Sequence, residues 1–398
     1  MPLSIRHFAR QVSLILFALL AQRTLLADAG VFAGNGQNLH QITSKTIQLV
    51  SIDVMIVPGR GPFLFDGGVA GMDRADYQCK FVLRNLSDAL EEIQVGFPID
   101  SQFAGQDQAK TQEETAAISD AWVNDYSFLA RDATDTYHVS YVHRTPKAGP
   151  GEFASLFLWT MHFDAKQTRT LTVTYHIPIS MGLVSTAKDP KTAYSNDGVF
   201  ESEQVDLAMM ERVGYITSTG SSWAGKVEKA KFTVITDPFE RYLSQRGVIE
   251  EAPEDGAKRG PDTPNPFPAH HPFWFRHIDT PNGKPVEGGL EWSYTDYKPQ
   301  DTIVVSYYFT VLPQRPDEVD AFLDAFLARL RPGQQTSNTL ANLREVLLAT
   351  YGKEPINPAV RKFVQQQLWY EPRKNFSETS LTPNQKAVLG ELDKRIKP

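Results

Sequence analysis

Two aromatic runs carry the residues best suited to chemistry. Phe273-Trp274-Phe275 leads directly into Arg276 and His277, and Trp369-Tyr370 lies close to Arg373. Flat rings beside hydrogen-bonding cations can stack on sugars or peptides. Trp274, His277, Trp369 and Tyr370 are therefore the candidate binding residues. Burial is the competing reading. In a strand Phe273 and Phe275 face one side and Trp274 the other, so a sheet covered on both faces would absorb all three rings. His270-His271 and His277 form the one histidine cluster of the chain. Zinc needs convergent ligands, usually with a carboxylate or thiolate among them, and Pro268 and Pro272 work against convergence. No metal and no cofactor are expected.

The patterns of covalent and hydrolytic catalysis are missing. Gly220-Ser221-Ser222-Trp223-Ala224-Gly225 comes nearest to a nucleophile elbow, but the glycines stand at the wrong spacing from the serines for the sharp turn. A loop whose Trp223 caps the core is expected instead. No His-Glu-x-x-His occurs to set two ligands on one helical face. Gly34-Asn35-Gly36 is followed by Leu39 where a dinucleotide fingerprint needs its third glycine. Asp132 and Asp135 lack the glycine and spaced carboxylates of a calcium loop and read as a turn. Paired carboxylates for glycoside cleavage are defined by their separation in space, so that route stays open.

The elements that must position these residues read as mainly β. From about 46 to 313 the apolar residues recur with period two: Ile52, Val54 and Ile56; Tyr77, Cys79, Phe81 and Leu83; Ile93, Val95 and Phe97; Tyr137, Val139 and Tyr141; Ile303 to Val311. Short alternating runs with turn residues between them predict an antiparallel sandwich-like body, with room for two β subdomains. Phe157–Phe163 and Leu171–Ile177 read as a hairpin about Lys166-Gln167-Thr168-Arg169. Pro281-Asn282-Gly283 signals a tight turn, because Asn-Gly tolerates positive φ. Residues 105–121 read as a surface helix or a mobile insertion, and the proline-rich 250–273 as a surface loop. Cys79 falls on the apolar side of its strand and reads as core.

Beyond Pro313 the period becomes helical. Val319, Phe322, Leu323, Phe326, Leu327 and Leu330 make one stripe, and Leu340, Leu343, Val346 and Leu347 a second. Asn357-Pro358 caps a third helix, and Thr382-Pro383-Asn384-Gln385 is a capping box for a fourth. Residues 314–398 are thus a small all-α unit whose modest core should pack on the sheet body or on a partner.

The amino terminus bears on location. Arg6, His7 and Arg10 precede the apolar run Val12–Ala21, and Ala27-Asp28-Ala29 supplies small residues before a cut between Ala29 and Gly30. That order predicts a secretory signal peptide over 1–29. The run is half the roughly 20 residues a span requires, so no membrane span is expected in the mature chain. No cysteine follows the run to carry a lipid anchor. The net charge is -7, and losing three arginines and one aspartate with the leader shifts it to -9. An acidic chain with scattered cations suits neither nucleic acid nor an anionic lipid surface. A single cysteine allows no internal disulfide, which fits a bacterial periplasm or cell surface.

Two groups of motifs resemble known families. Tyr215-Ile216-Thr217-Ser218-Thr219-Gly220 with Trp223 and Gly225, together with Leu290-Glu291-Trp292, Lys298-Pro299, Asp301 and the run Ile303–Tyr308, resemble a family of secreted bacterial proteins with a domain of unknown function. This likeness spans about 30–313. Ala349, Gly352, Trp369-Tyr370, Pro372, Asn375-Phe376, Leu381 and Asn384 resemble, in order, the bacterial extracellular YARHG domain, although its naming motif here reads Leu348-Ala349-Thr350-Tyr351-Gly352. That domain occurs beside peptidases and lipoproteins and brings no catalytic residues to carry over. The expectation is an exported, non-enzymatic cell-envelope binding or scaffolding protein, secreted or periplasmic, whose partner is an envelope component or another protein. The alternative is a secreted hydrolase acting on peptide or glycan through a carboxylate or metal site assembled from loops.

Overall fold

The computed structural model describes residues 29–33, 40–65, 68–99, 112–143, 155–189, 205–246, 271–298, 302–330 and 337–396. The expected leader apart from Ala29, the Gly34-Asn35-Gly36 segment, residues 105–111, His270 and most of the proline-rich stretch lie outside these residues.

In chain order come β1 (Gly30–Ala33), β2 (His40–Gln41), β3 (Ile47–Phe65), β4 (Gly68–Asn85) and β5 (Glu91–Ile99). Helix α1 (Gln112–Asp125) precedes β6 (Leu129–Arg131), β7 (Ser140–His143), β8 (Ser155–Phe163), β9 (Thr168–Pro178) and β10 (Ser180–Ser185). Next are β11 (Leu207–Ile216), β12 (Val227–Ile235), α2 (Asp237–Arg246), β13 (Pro272–Ile278), β14 (Lys284–Val286), β15 (Gly289–Tyr297) and β16 (Thr302–Pro313). Four helices follow: α3 (Val319–Arg329), α4 (Ser337–Thr350), α5 (Pro358–Gln365) and α6 (Pro383–Ile396).

The strands form three sheets, and the fold is mainly β. The central one runs β14-β15-β12-β3-β4-β9-β6. A five-stranded sheet runs β2-β1-β5-β8-β7 and a four-stranded one β10-β11-β16-β13. Period-two alternation puts Ile52, Val54 and Ile56 of β3, Tyr77, Cys79 and Phe81 of β4, and Phe232 and Val234 of β12 on one buried face. The two smaller sheets share that face. Phe97 of the five-stranded sheet meets Tyr175 at 4.9 Å between ring centres. Tyr215 of the four-stranded sheet meets Phe232 at 5.8 Å, and the Tyr77 hydroxyl donates to the Gly214 carbonyl.

Three expectations need correction. The 166–169 segment is not a hairpin, because β8 and β9 lie in different sheets. The chain arches from one layer to the other with Lys166 at φ 60°. A second arch, 85–91, runs alongside and braces it: Asn85 donates its side-chain amide to the Asp164 and Ala89 carbonyls, and Lys166 N–H donates to Ser87. Asn282 does adopt positive φ, but its turn also carries the chain between sheets. The true hairpin lies at Glu287-Gly288, joining β14 and β15. The body is not wholly antiparallel either, since β12 pairs with β3 in parallel. That pair joins the early and late halves of the chain, which meet side by side rather than through a turn.

Residues 112–125 form a helix whose Trp122 is buried and stacks on Tyr141 at 5.0 Å. The tail helices share the body's core: Phe322, Leu347 and Val388 belong to the same apolar cluster as Phe309 and Val311. Asn357 caps α5 by accepting from Ala359 N–H. Thr382 and Gln385 each accept the other's backbone N–H before α6. Among the described residues no helix is long and apolar enough to cross a membrane.

Candidate functional site

Strand β13 lies at the end of the four-stranded sheet and pairs with β16 in a register that sets Trp274 opposite Phe309, Phe275 opposite Tyr308, Arg276 opposite Tyr307 and His277 opposite Ser306. Alternation therefore divides the aromatic run. Trp274 and Arg276 lie on the side of Tyr307 and α2, with Arg276 exposed at its edge, and Phe275 and His277 on the side of Tyr308, both half-buried.

The inward side, that of Tyr307, is structural. The Trp274 ring sits 6.4 Å from that of Tyr307. Arg276 donates to Glu240 at 2.6 Å and to Thr236 at 3.0 Å, clamping α2 to the sheet. Tyr307 is fully buried, and its hydroxyl has no hydrogen-bond partner among the described residues. Burial, then the nearby Glu240 carboxylate, push its pKa far up, so it stays a neutral phenol.

The outward side, that of Tyr308, combines rings with charge. Phe275 stacks on Tyr308 at 4.9 Å with planes 5° apart. Phe273 lies 6.1 Å from Phe275 on one flank, and the His277 ring meets Tyr308 edge-on at 6.3 Å. Ala208 and Met210 of β11, on the same face as Tyr308, and Leu368 of the tail pack against them. Beside them the Ser306 hydroxyl donates to Asp279 at 2.6 Å and accepts from Arg212 Nε at 3.2 Å. Arg212 Nη2 lies 3.9 Å from Asp279. Burial first, and Asp279 second, raise the Tyr308 pKa. Ser306 is fully buried, with its proton directed at Asp279. The group is arranged to present an aromatic strip of two half-buried rings, Phe273 and Phe275, over the buried Tyr308, bordered by a fixed cation, a carboxylate and an imidazole.

The other candidates are placed elsewhere. Trp369 and Tyr370 are both buried. Trp369 meets Phe273 edge-on at 6.1 Å and closes one end of the strip, while Tyr370 packs edge-on behind it. His271 is separated from His277: its Nδ1 pairs with Glu318 at 2.9 Å and its Nε2 faces the Gln245 carbonyl at 3.3 Å. Among the described residues no three His, Cys, Asp or Glu side chains gather as a metal ligand set. Asp132 closes a turn, accepting from the Thr134 and Asp135 amides. Ala29 is buried and its carbonyl accepts the Trp223 indole N–H, with Gly30 opening β1. Arg212, Asp279 and Ser306 had no signal in the sequence. They come from three separated segments and share no motif.

No family model matches the chain, and no curated protein matches it. Among solved structures it is similar to a Legionella pneumophila protein provisionally described as nutrient-binding. They share 15% identity over 92% of this chain and 99% of that one, with a TM-score of 0.40. It is also similar to an M1 zinc metallopeptidase from Deinococcus radiodurans, at 7% identity over 67% of this chain, with a TM-score of 0.21. The match spans 43% of the peptidase's length. Likenesses this distant carry no argument about ligand or reaction.

Proposed function

We propose that this chain is an exported, non-enzymatic binding or scaffolding protein of the bacterial cell envelope. It holds an extended envelope glycan or peptide across the outer face of the four-stranded sheet. The observation that carries this reading is the pair of half-buried rings Phe273 and Phe275, backed by the buried Tyr308 and bordered by Arg212, Asp279 and His277. Rings supply stacking area at small entropic cost, and the fixed polar groups give orientation. Trp369 and Tyr370 support the end of the strip from beneath. The leader pattern supports export, and the likeness of the tail to an extracellular domain supports an envelope location.

The test is retention of the mature protein on purified peptidoglycan sacculi and on soluble envelope peptides. Retention that falls at least tenfold in an Arg212→Ala, His277→Ala double variant supports the reading. No retention, or retention indifferent to both changes, overturns it. Release of glycan or peptide fragments that stops in Asp279→Asn would replace binding with hydrolysis.

A further inference from the structure

A second feature lies on the central sheet, away from the aromatic strip. The loop between β11 and β12 is tied down at several points. Ser222 Oγ accepts from Val31 N–H at 2.9 Å, and its carbonyl accepts from Ser44 N–H. The Trp223 indole donates to Ala29, Ala224 N–H donates to Ile47, and the Gln48 amide donates to the Lys226 carbonyl. Gly225 makes the turn at φ 70°, a conformation costly for a residue with a Cβ. Against this rigid loop opens a cleft of about 250 Å³. Leu49, Trp223, Val227 and Tyr297 give it an apolar lining, and Lys226 and Lys298 stand with them. Tyr297 is itself held by stacking on Tyr294 at 4.8 Å.

The charges are the informative part. Lys231 pairs with Asp53 and Arg84 with Glu228, whereas Lys80, Lys229 and Lys284 of the same sheet have no carboxylate partner among the described residues; of the unpaired lysines, Lys226 and Lys298 are the two that line the cleft. Among the described residues neither Lys226 nor Lys298 pairs with a carboxylate. In a chain of net charge -7, two ammonium groups left over beside an apolar lining make a local site for an anion. The volume lies below the roughly 300–1,000 Å³ of drug-sized pockets, so the occupant is small.

We propose that this cleft binds a small carboxylate-bearing hydrophobe. Its apolar body lies on Trp223, Leu49 and Tyr297, and its carboxylate meets Lys226 and Lys298. This inference stands apart from the outer-face reading, because it uses none of the same residues. The same chemistry could come from a free aromatic acid or from the carboxyl end of a peptide.

Calorimetry of the full mature protein with three probes tests it: N-acetyl-phenylalanine, its amide, and a tetrapeptide ending in free phenylalanine. The acid should bind at least tenfold more tightly than the amide, with amide shifts in the nuclear magnetic resonance spectrum at Gly225 and Lys226. A Lys226→Gln, Lys298→Gln double variant should abolish that preference, and Arg212→Ala should leave it intact. If the tetrapeptide binds more tightly than the free acid, the carboxyl end of a peptide is the source; the reverse order identifies a free acid. Equal binding of acid and amide, a preference that survives the lysine changes, or no binding of either carboxylate overturns the inference.

Discussion

Thr186 donates its hydroxyl to the side-chain carbonyl of Gln367 at 2.6 Å, across 181 residues of chain, and both residues are almost wholly excluded from water. Backbone bonds flank the pair: Lys188 N–H to Gln366 and Leu368 N–H to Thr186. The helical tail is thus stitched to the end of β10 by a short bridge of strand-like pairing.

Removing one half of that pair strands the other. Thr186→Val should destabilise the protein by about 1–3 kcal/mol, because a buried amide oxygen loses its donor. A second change, Gln367→Leu, should recover much of the loss. Urea unfolding of the wild type, both single variants and the double variant measures the coupling, and strictly additive losses would refute it.

The turn at Asp132 gives a pH dependence. Burial pushes this carboxyl up, but hydrogen bonds from the Tyr137 hydroxyl and the Thr134 and Asp135 amides outweigh it and hold the pKa at about 2. Arg169 pairs with both Asp132 and Asp135. The unfolded aspartate titrates near 3.9, so the ion contributes its full stability above about pH 4 and loses it as the pH falls toward 2. Asp132→Asn should lower stability at pH 7. The gap from wild type should close in thermal melts taken down to pH 2, and a gap of constant size would contradict the assignment.

Positions on the two faces of β13 should respond differently. Trp274→Ala empties part of the inner face and should cost about 2–3 kcal/mol, less than the roughly 3–5 of a fully buried ring. His277→Ala should stay within about 0.5 kcal/mol of wild type while weakening envelope retention. Chemical denaturation and sacculus binding on both variants check the pair. The same profile for both would mean that the strand is not divided between core and surface.

Two glycines make opposite predictions. A Cβ on Gly289 would lie 2.0 Å from the Val234 carbonyl oxygen, a backbone atom that cannot yield without breaking the β12–β15 register. Gly289→Ala should destabilise by about 1–3 kcal/mol. A Cβ on Gly390, inside α6, would meet nothing within 4 Å. Gly390→Ala should stabilise by roughly 0.5–1 kcal/mol. Melting temperatures decide both.

The sequence by itself determined the local structure. Alternation at Tyr77, Cys79, Phe81 and Leu83 placed their strand and its buried face, because side chains of a strand must point alternately. Thr382 and Gln385 marked a helix start because their side chains can satisfy the two N–H groups that open it. Period two says which face is apolar but not which sheet a strand joins. Phe163 and Leu171 look alike whether their strands pair directly or stand in opposite layers, so only tertiary structure separated arch from hairpin. The same limit hid the outer face. Arg212, Asp279 and Ser306 are brought together by the β11–β16 pairing and the end of β13, a long-range match that no local pattern encodes. It likewise decided that Trp369 and Tyr370 are buried and His277 half-buried, since the burial of a ring depends on what the rest of the chain lays against it.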